Sequence, residues 1–306
     1  MLSRIAESLF WIGRYAERAD GTARIVDVLR LQLLEDPSVH EEEAAGMVLA
    51  VVMGMPSGPT ATLSDVGSTL VFDKANPSAI AGALFACREN ARRARETLST
   101  ELWEAINTTW HRWQGFGRQG VTERHLAWVR ERAALVAGIS DSTMSHDDAW
   151  DFLVLGRSLE RADMTARLVA TGGLRTAASW STILNSCGAQ QAFMRSQRGL
   201  LSDEAAAAFL TLDREFPRSV LFALAEAERR LAALSPQVGR LGISDEGRRQ
   251  LGRMRSTLEF RQAADTIADL PATMLRVQQA VTESSRAIGE RYFQSGPLPT
   301  WTEELA

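Results

Sequence analysis

A twelve-residue segment occurs twice in this chain and constrains its fold more than any other feature. The first copy, at positions 13–24, reads GRYAERADGTAR, and the second, at positions 156–167, reads GRSLERADMTAR. Nine of the twelve positions are identical, and the copies lie 143 residues apart. A second pair of segments has a similar offset: Pro77 and Pro217 each precede an aliphatic run. The agreement of the two offsets predicts two related halves, 1–143 and 144–306.

Nearly every long segment has the apolar spacing of an α-helix, and the alternation typical of strands is scarce. We therefore predict an all-α protein, a bundle of long helices. The motif copies are expected on two of them, one from Ser3 to Leu34 and one from Ser145 to Ala170. A further long helix is predicted from Pro77 to Arg112, with the proline in the first turn, where its missing N–H costs nothing.

The composition argues against several functional classes. The chain has 306 residues and a formal net charge of −4, so it offers no basic excess for nucleic acid or an anionic membrane surface. Lys74 is the only lysine, whereas arginine, which is suited to carboxylates and phosphates, is abundant.

The cysteines and the distribution of apolar residues indicate in which cellular compartment the protein is expected. Cys87 and Cys187 form no Cys-x-x-Cys pair, and we expect buried free thiols in a reducing compartment. The N-terminus lacks a signal-peptide pattern, and no apolar stretch reaches about 18 residues. We therefore expect a cytoplasmic protein without a transmembrane helix.

Each motif copy places its charges on one face of its helix. With about 100° per residue, the five charges of the first copy span an arc of about 160° that also contains Gly13, and the second copy repeats this around Gly156. The charged residues are Arg14, Glu17, Arg18, Asp20 and Arg24 in the first copy, and Arg157, Glu160, Arg161, Asp163 and Arg167 in the second. A glycine within a helix costs roughly 0.5–1 kcal/mol relative to alanine. Its presence on both charged faces predicts close packing there.

The doubled charged face has several possible interpretations. It is an ion-pair network that fixes how the motif helices pair, a polar pocket between the halves, or a solvated surface. In the pocket, Glu17 and Glu160 are the acid–base candidates, and the other charged motif residues bind substrate. Glu89 and Asn90, within the helix predicted from Pro77, are further substrate-binding candidates.

A metal between facing carboxylates is the remaining interpretation, because helical bundles hold metals in this way. The motif carboxylates lack a histidine partner, and arginines flank each pair. We therefore expect neither a metal nor another cofactor.

Four segments, taken in order, resemble the bacterial alpha-E domain family and cover nearly the whole chain. They read SRIAESLFWIGRYAERADGTAR, RENARRARETLSTELWEAIN, FLVLGRSLERADMTAR and LDREFPRSVLFAL. The resemblance implies a helical domain encoded beside, or fused to, a circularly permuted ATP-grasp ligase. A transglutaminase-like protease often accompanies the pair, and a proteasome-like peptidase sometimes does. The resemblance implies no established reaction and no catalytic residues.

Two functional hypotheses follow from the resemblance and from the lack of a nucleotide-binding or nucleophile motif. In the first, the chain is a helical scaffold or substrate-holding partner of the ATP-grasp ligase in a peptide (amide) ligation or modification system. In the second, it is an enzyme that acts on a peptide or aminoacyl intermediate in the Arg/Glu/Asp pocket. Both hypotheses are compatible with a peptide or amino-acid substrate.

Overall fold

The computed structural model describes residues 1–55, 58–116, 120–172, 179–196, 202–236 and 240–293. Within these ranges the protein is all-α, as predicted, and contains no strand. The α-helices are α1 (Ser3–Glu35), α2 (Glu41–Met53), α3 (Leu63–Val66), α4 (Ile80–Arg93), α5 (Thr100–Gln114), α6 (Glu123–Thr143), α7 (Asp148–Gly172), α8 (Trp180–Ser186), α9 (Gln190–Ser196), α10 (Asp203–Leu212), α11 (Val220–Leu234), α12 (Glu246–Phe260), α13 (Ala263–Ala268) and α14 (Leu270–Ile288). Short π-helical segments follow α3 and α14, at Gly67–Phe72 and Gly289–Phe293. None of the helices in these ranges has both the length and the apolar character needed to cross a bilayer.

The two motif helices, α1 and α7, pack against each other and form the most extensive helix–helix contact of the bundle. α1 also packs against α4 and α6, and α7 also packs against α11 and α14. Their apolar faces supply fully buried core residues such as Leu9, Ile12, Leu155 and Leu159. Because α1 and α7 are central, the charged motif faces lie inside the bundle.

The single helix predicted from Pro77 to Arg112 is wrong. The structure has α4 and α5 there, separated by a short 3-10 turn at Arg95–Thr97. Ser99 begins the new helix, because its hydroxyl accepts a hydrogen bond from the Leu102 amide at 3.1 Å and so caps α5. Pro77 lies before α4, in a turn that precedes the N-cap residue of that helix.

Matching contacts recur in the two halves. Thr22 donates its hydroxyl to the Ser78 carbonyl at 3.3 Å, and Thr165 donates to the Arg218 carbonyl at 3.0 Å. Each bond ties a motif helix to the turn before α4 or before α11. Such pairs are what duplicated halves predict, and the duplication of 1–143 and 144–306 stays a proposal.

Cys87 and Cys187 are buried free thiols, as predicted. Burial raises the pKa of each thiol to about 12. Neither thiol is therefore ionised near neutral pH, and neither is an activated nucleophile.

Candidate functional site

Gly13 and Gly156 bring the backbones of α1 and α7 into direct contact. A Cβ atom at Gly13 would lie 2.0 Å from the Leu153 carbonyl oxygen, and one at Gly156 would lie 2.0 Å from the Phe10 carbonyl oxygen. Neither position has room for a larger side chain, which explains why both helices carry a glycine despite its cost. The charged residues that flank the two glycines consequently meet in one shared layer.

Glu160 is held entirely by the first motif copy. Its Oε1 accepts a hydrogen bond from Arg18 Nε at 2.5 Å, and its Oε2 lies 2.7 Å from Arg14 Nε. Burial by itself would raise the pKa of Glu160, but Arg14 and Arg18 outweigh burial and lower it. The charged face is a closed ion-pair network around this carboxylate.

Glu17 is held by Arg161 of the second motif copy and by Arg218 from the turn before α11. Arg161 Nε lies 2.9 Å from one carboxylate oxygen, and Arg218 Nη1 lies 2.6 Å from the other. Burial would raise the pKa of Glu17, but the two guanidinium groups lower it to about 2. Arg157 does not join this pair; its Nη2 donates instead to Asp141 Oδ1 at 3.3 Å.

Asp20 and Asp163 each bind an arginine one turn later on their own helix. Arg24 Nε donates to Asp20 Oδ2 at 2.9 Å, and Arg167 Nη2 donates to Asp163 Oδ2 at 2.6 Å. Arg218 also donates to Asp20, through the same Oδ2 atom. Asp20 Oδ1 is buried and has no hydrogen-bond partner among the described residues.

A cavity of about 280 Å³ lies beside Glu17, between α1, α6 and α7. One wall carries charged side chains, and the other consists largely of alanines of α6. The charged lining residues are Glu17, Asp20, Arg24, Arg157, Arg161 and Arg218. The doubled charged face is thus a closed network at Glu160 and borders an open pocket at Glu17.

The solvated-face interpretation is wrong, because the motif carboxylates are buried. Glu17 and Asp163 are 7% exposed, Asp20 is 3% exposed and Glu160 is 2% exposed. Within the described ranges, no group of three or more metal-ligating side chains comes together.

A larger cavity, of about 1010 Å³, lies along α2 and reaches the charged network only at Arg167. Leu275 and Gln278 of α14 contribute to its lining. Of the two motif copies, only the second contributes a charged residue to the larger cavity, whereas the smaller cavity is lined by charged residues of both copies. We therefore assign the candidate site to the smaller cavity.

Glu89 and Asn90 lie outside the candidate site. Glu89 pairs with Arg88 and Arg92, and Asn90 Nδ2 donates to the Ala86 carbonyl of its own helix at 2.8 Å. Neither residue lines the cavity.

Arg218 and the alanines of α6 are the parts of the site that sequence reasoning missed. Arg218 follows Pro217, whereas the corresponding residue after Pro77 is Ser78. The sequence signal for Arg218 is that it is charged, whereas its counterpart Ser78 in the corresponding segment is neutral. The alanines have no comparable signal, because small residues are common at any helix interface.

The chain is similar to uncharacterized proteins of mycobacteria. One protein of Mycobacterium bovis and two of Mycobacterium tuberculosis, from different strains, are each 25% identical to it over 312 residues. The match covers 90% of this chain and 34% of each relative. The chain therefore spans about a third of the length of these curated relatives.

No solved structure matches the chain at a significant level. The family model named Alpha-E, described as a predicted alpha-helical domain with a conserved ER motif, matches residues 1–293. The dipeptide Glu-Arg stands at the centre of both motif copies, at Glu17-Arg18 and Glu160-Arg161. The chain belongs to the Alpha-E family.

Proposed function

We propose that the chain is a substrate-holding helical component of a peptide (amide) ligation or peptide-modification system, and that it works beside a circularly permuted ATP-grasp ligase. The observation that carries the proposal is the arginine-lined cavity beside Glu17. Cavities between the helices of a bundle are common ligand sites. Guanidinium groups suit the carboxylates and phosphates that occur in such chemistry.

The carboxylates of this site are better suited to binding than to proton transfer. General acids and bases work best when their pKa lies near the operating pH. Arg161 and Arg218 hold the pKa of Glu17 near 2, and Arg14 and Arg18 lower that of Glu160. Both groups stay ionised and paired at neutral pH, which supports a holding role.

The length of the relatives also supports a role within a larger assembly. Each matched relative is about three times as long as the segment that this chain matches and therefore contains further sequence beside it. A helical component that holds substrate for another catalytic unit fits this arrangement. The transglutaminase-like protease is a second proposed partner.

Co-expression with the proposed partner, a circularly permuted ATP-grasp ligase, tests the proposal. We expect the two proteins to co-purify and the ligation rate, followed by ADP release, to rise when the chain is present. Ala137→Leu, which fills the cavity from α6, is expected to keep the association and to remove the rate increase. A ligase that never associates with the chain and is fully active alone would overturn the proposal.

The alternative function is an enzyme that acts on a peptide or aminoacyl intermediate at Glu17 and Glu160. The contact of Glu17 with the cavity is the observation that favours it. The alternative requires the isolated chain to turn over such an intermediate and folded Glu17→Gln to lose that turnover. Absence of turnover by the chain alone leaves the holding role as the better account.

A further inference from the structure

We infer that the cavity beside Glu17 binds a free α-amino acid, with the ligand carboxylate at Arg157 and Arg161 and the ligand ammonium group at Asp20. The inference rests on the proposed function in one respect, namely that this cavity holds a substrate. It adds the chemical class of that substrate and its orientation.

The carboxylate end is argued from two arginines of α7. Arg157 and Arg161 are four residues apart, so they lie on the same face of the helix, and both line the cavity. Arg161 contacts Glu17 through Nε, and Arg157 contacts the half-exposed Asp141 through Nη2. A guanidinium group has five N–H donors, so each arginine retains donors for a ligand carboxylate after these contacts.

The ammonium end is argued from Asp20. This residue is 3% exposed, and both of its arginine partners use Oδ2. Oδ1 is left buried without a hydrogen-bond partner among the described residues. A buried acceptor without a partner is costly, and a ligand N–H group in the cavity would supply the missing hydrogen bond.

Charge and size restrict the ligand further. The cavity lining contains four arginines and two carboxylates, so an anionic end is favoured. Asp20 is itself a carboxylate, so a cationic ammonium donor suits its free oxygen better than the hydroxyl of an inorganic phosphate anion does. The volume of about 280 Å³ suits a small molecule, and the alanines of α6 provide an apolar wall for its side chain.

The arrangement at Glu160 predicts the stoichiometry. Arg14, Arg18 and Glu160 form ion pairs with one another and do not line the cavity, so they offer no second site within it. We therefore expect one amino acid per chain.

The test measures thermal stabilisation of the full chain by each standard L-amino acid, because a ligand that binds the folded state raises Tm. Calorimetry then compares the best amino acid with its deaminated and decarboxylated analogues. We expect one molecule bound per chain and weaker binding of both analogues. Arg157→Gln should weaken binding by about tenfold or more, the loss expected for a charged hydrogen bond. Ala137→Leu should also weaken binding, because the larger side chain occupies the cavity.

Matched controls lie on the exposed surface of α11. Arg229→Gln removes an exposed arginine that pairs with Glu226, and Ala233→Leu enlarges an exposed alanine. Both variants should bind the amino acid as tightly as the unaltered chain.

Three results would overturn the inference: no amino acid stabilises the chain, an analogue or inorganic phosphate binds as tightly as the amino acid, or Ala137→Leu leaves binding unchanged. The ligase experiment separates this failure from failure of the proposed function. Association with the ligase and stimulation of its rate without amino-acid binding would remove only the ligand assignment. Amino-acid binding without association would remove only the ligase partnership.

Discussion

Glu17 and Glu160 occupy the same position in the two motif copies, yet they meet different arginines. Glu160 is held by two arginines of the opposite copy, whereas Glu17 is held by one such arginine and by Arg218. Desolvation offsets much of the attraction in a buried ion pair, but removal of one partner leaves an unpaired buried charge. At the residue scale, neutralising either glutamate should cost far more than neutralising a surface glutamate.

Glu17→Gln is expected to lower the free energy of unfolding by about 3–5 kcal/mol at neutral pH, because Arg161 and Arg218 lose their shared partner. The folded pKa of Glu17, about 2, lies below the ordinary value of 4.5. The contribution of the carboxylate is therefore present above pH 4.5 and is lost as the pH falls towards 2. Urea unfolding should show that the difference in free energy of unfolding between the unaltered chain and Glu17→Gln becomes smaller as the pH is lowered through this window.

Glu290→Gln is the control for this prediction. Glu290 pairs with Arg286 at the surface, and both side chains are more than half exposed. Its neutralisation should change stability by less than about 1 kcal/mol. Equal losses in the two variants, or a Glu17→Gln loss that does not change with pH, would contradict the assignment of Glu17 as a buried, paired carboxylate.

At the scale of elements, the contact between α1 and α7 depends on two glycines. Close backbone approach brings the charged faces within hydrogen-bond reach of each other, so packing and electrostatics are coupled at this contact. A side chain at either glycine would push the two helices apart and lengthen the ion pairs that Glu17 and Glu160 form between them.

Gly13→Ala and Gly156→Ala are each expected to destabilise the protein by about 3 kcal/mol or more, because the added methyl group meets a backbone carbonyl of the facing helix. Gly138→Ala on α6 is the matched control, since the added methyl would meet no atom within 4 Å apart from those of its own turn of helix. It should be neutral or stabilising by up to about 1 kcal/mol. Urea unfolding measures all three, and a neutral Gly13→Ala would contradict the backbone contact.

The start of α5 gives a second prediction at this scale. Ser99→Ala removes the hydroxyl that caps α5 and should cost about 1 kcal/mol. Ser142→Ala is the control, because the Ser142 hydroxyl donates only to carbonyls of its own helix. Thermal unfolding should separate the variants, and equal stability would show that the break before α5 does not depend on this cap.

At the scale of the whole molecule, the two proposed halves, 1–143 and 144–306, meet most extensively through α1 and α7. Each half has helices packed on its own motif helix, yet each motif glutamate finds its ion-pair partners in the opposite half. The halves are therefore expected to depend on each other for stability.

Separate expression of segments 1–143 and 144–306 tests this dependence. We expect each segment alone to be unstable, because its motif glutamate is left without arginine partners, and the two segments to co-purify when they are expressed together. Co-purification and circular dichroism melting provide the measurement. A segment that unfolds alone with the cooperativity and Tm of the intact chain would contradict the expectation.

The helical class, the two motif helices and the residues that share each charged face were predictable from the sequence. All three follow from local periodicity, which sets the angle of every side chain around its helix axis. The break between α4 and α5 was also encoded locally, by Ser99 as an N-cap followed by Glu101 in the first turn. The long-helix prediction was wrong because it gave helical periodicity more weight than this start signal.

Only the tertiary structure decided what the two charged faces became. Arg218 reaches Asp20 from 198 residues away, and the alanine wall of the cavity comes from α6. Helical periodicity states which residues of one helix lie together, but the burial and pairing of a charge depend on the elements packed against it. For that reason, nearly identical segments form a closed ion-pair network around Glu160 and one wall of a cavity beside Glu17.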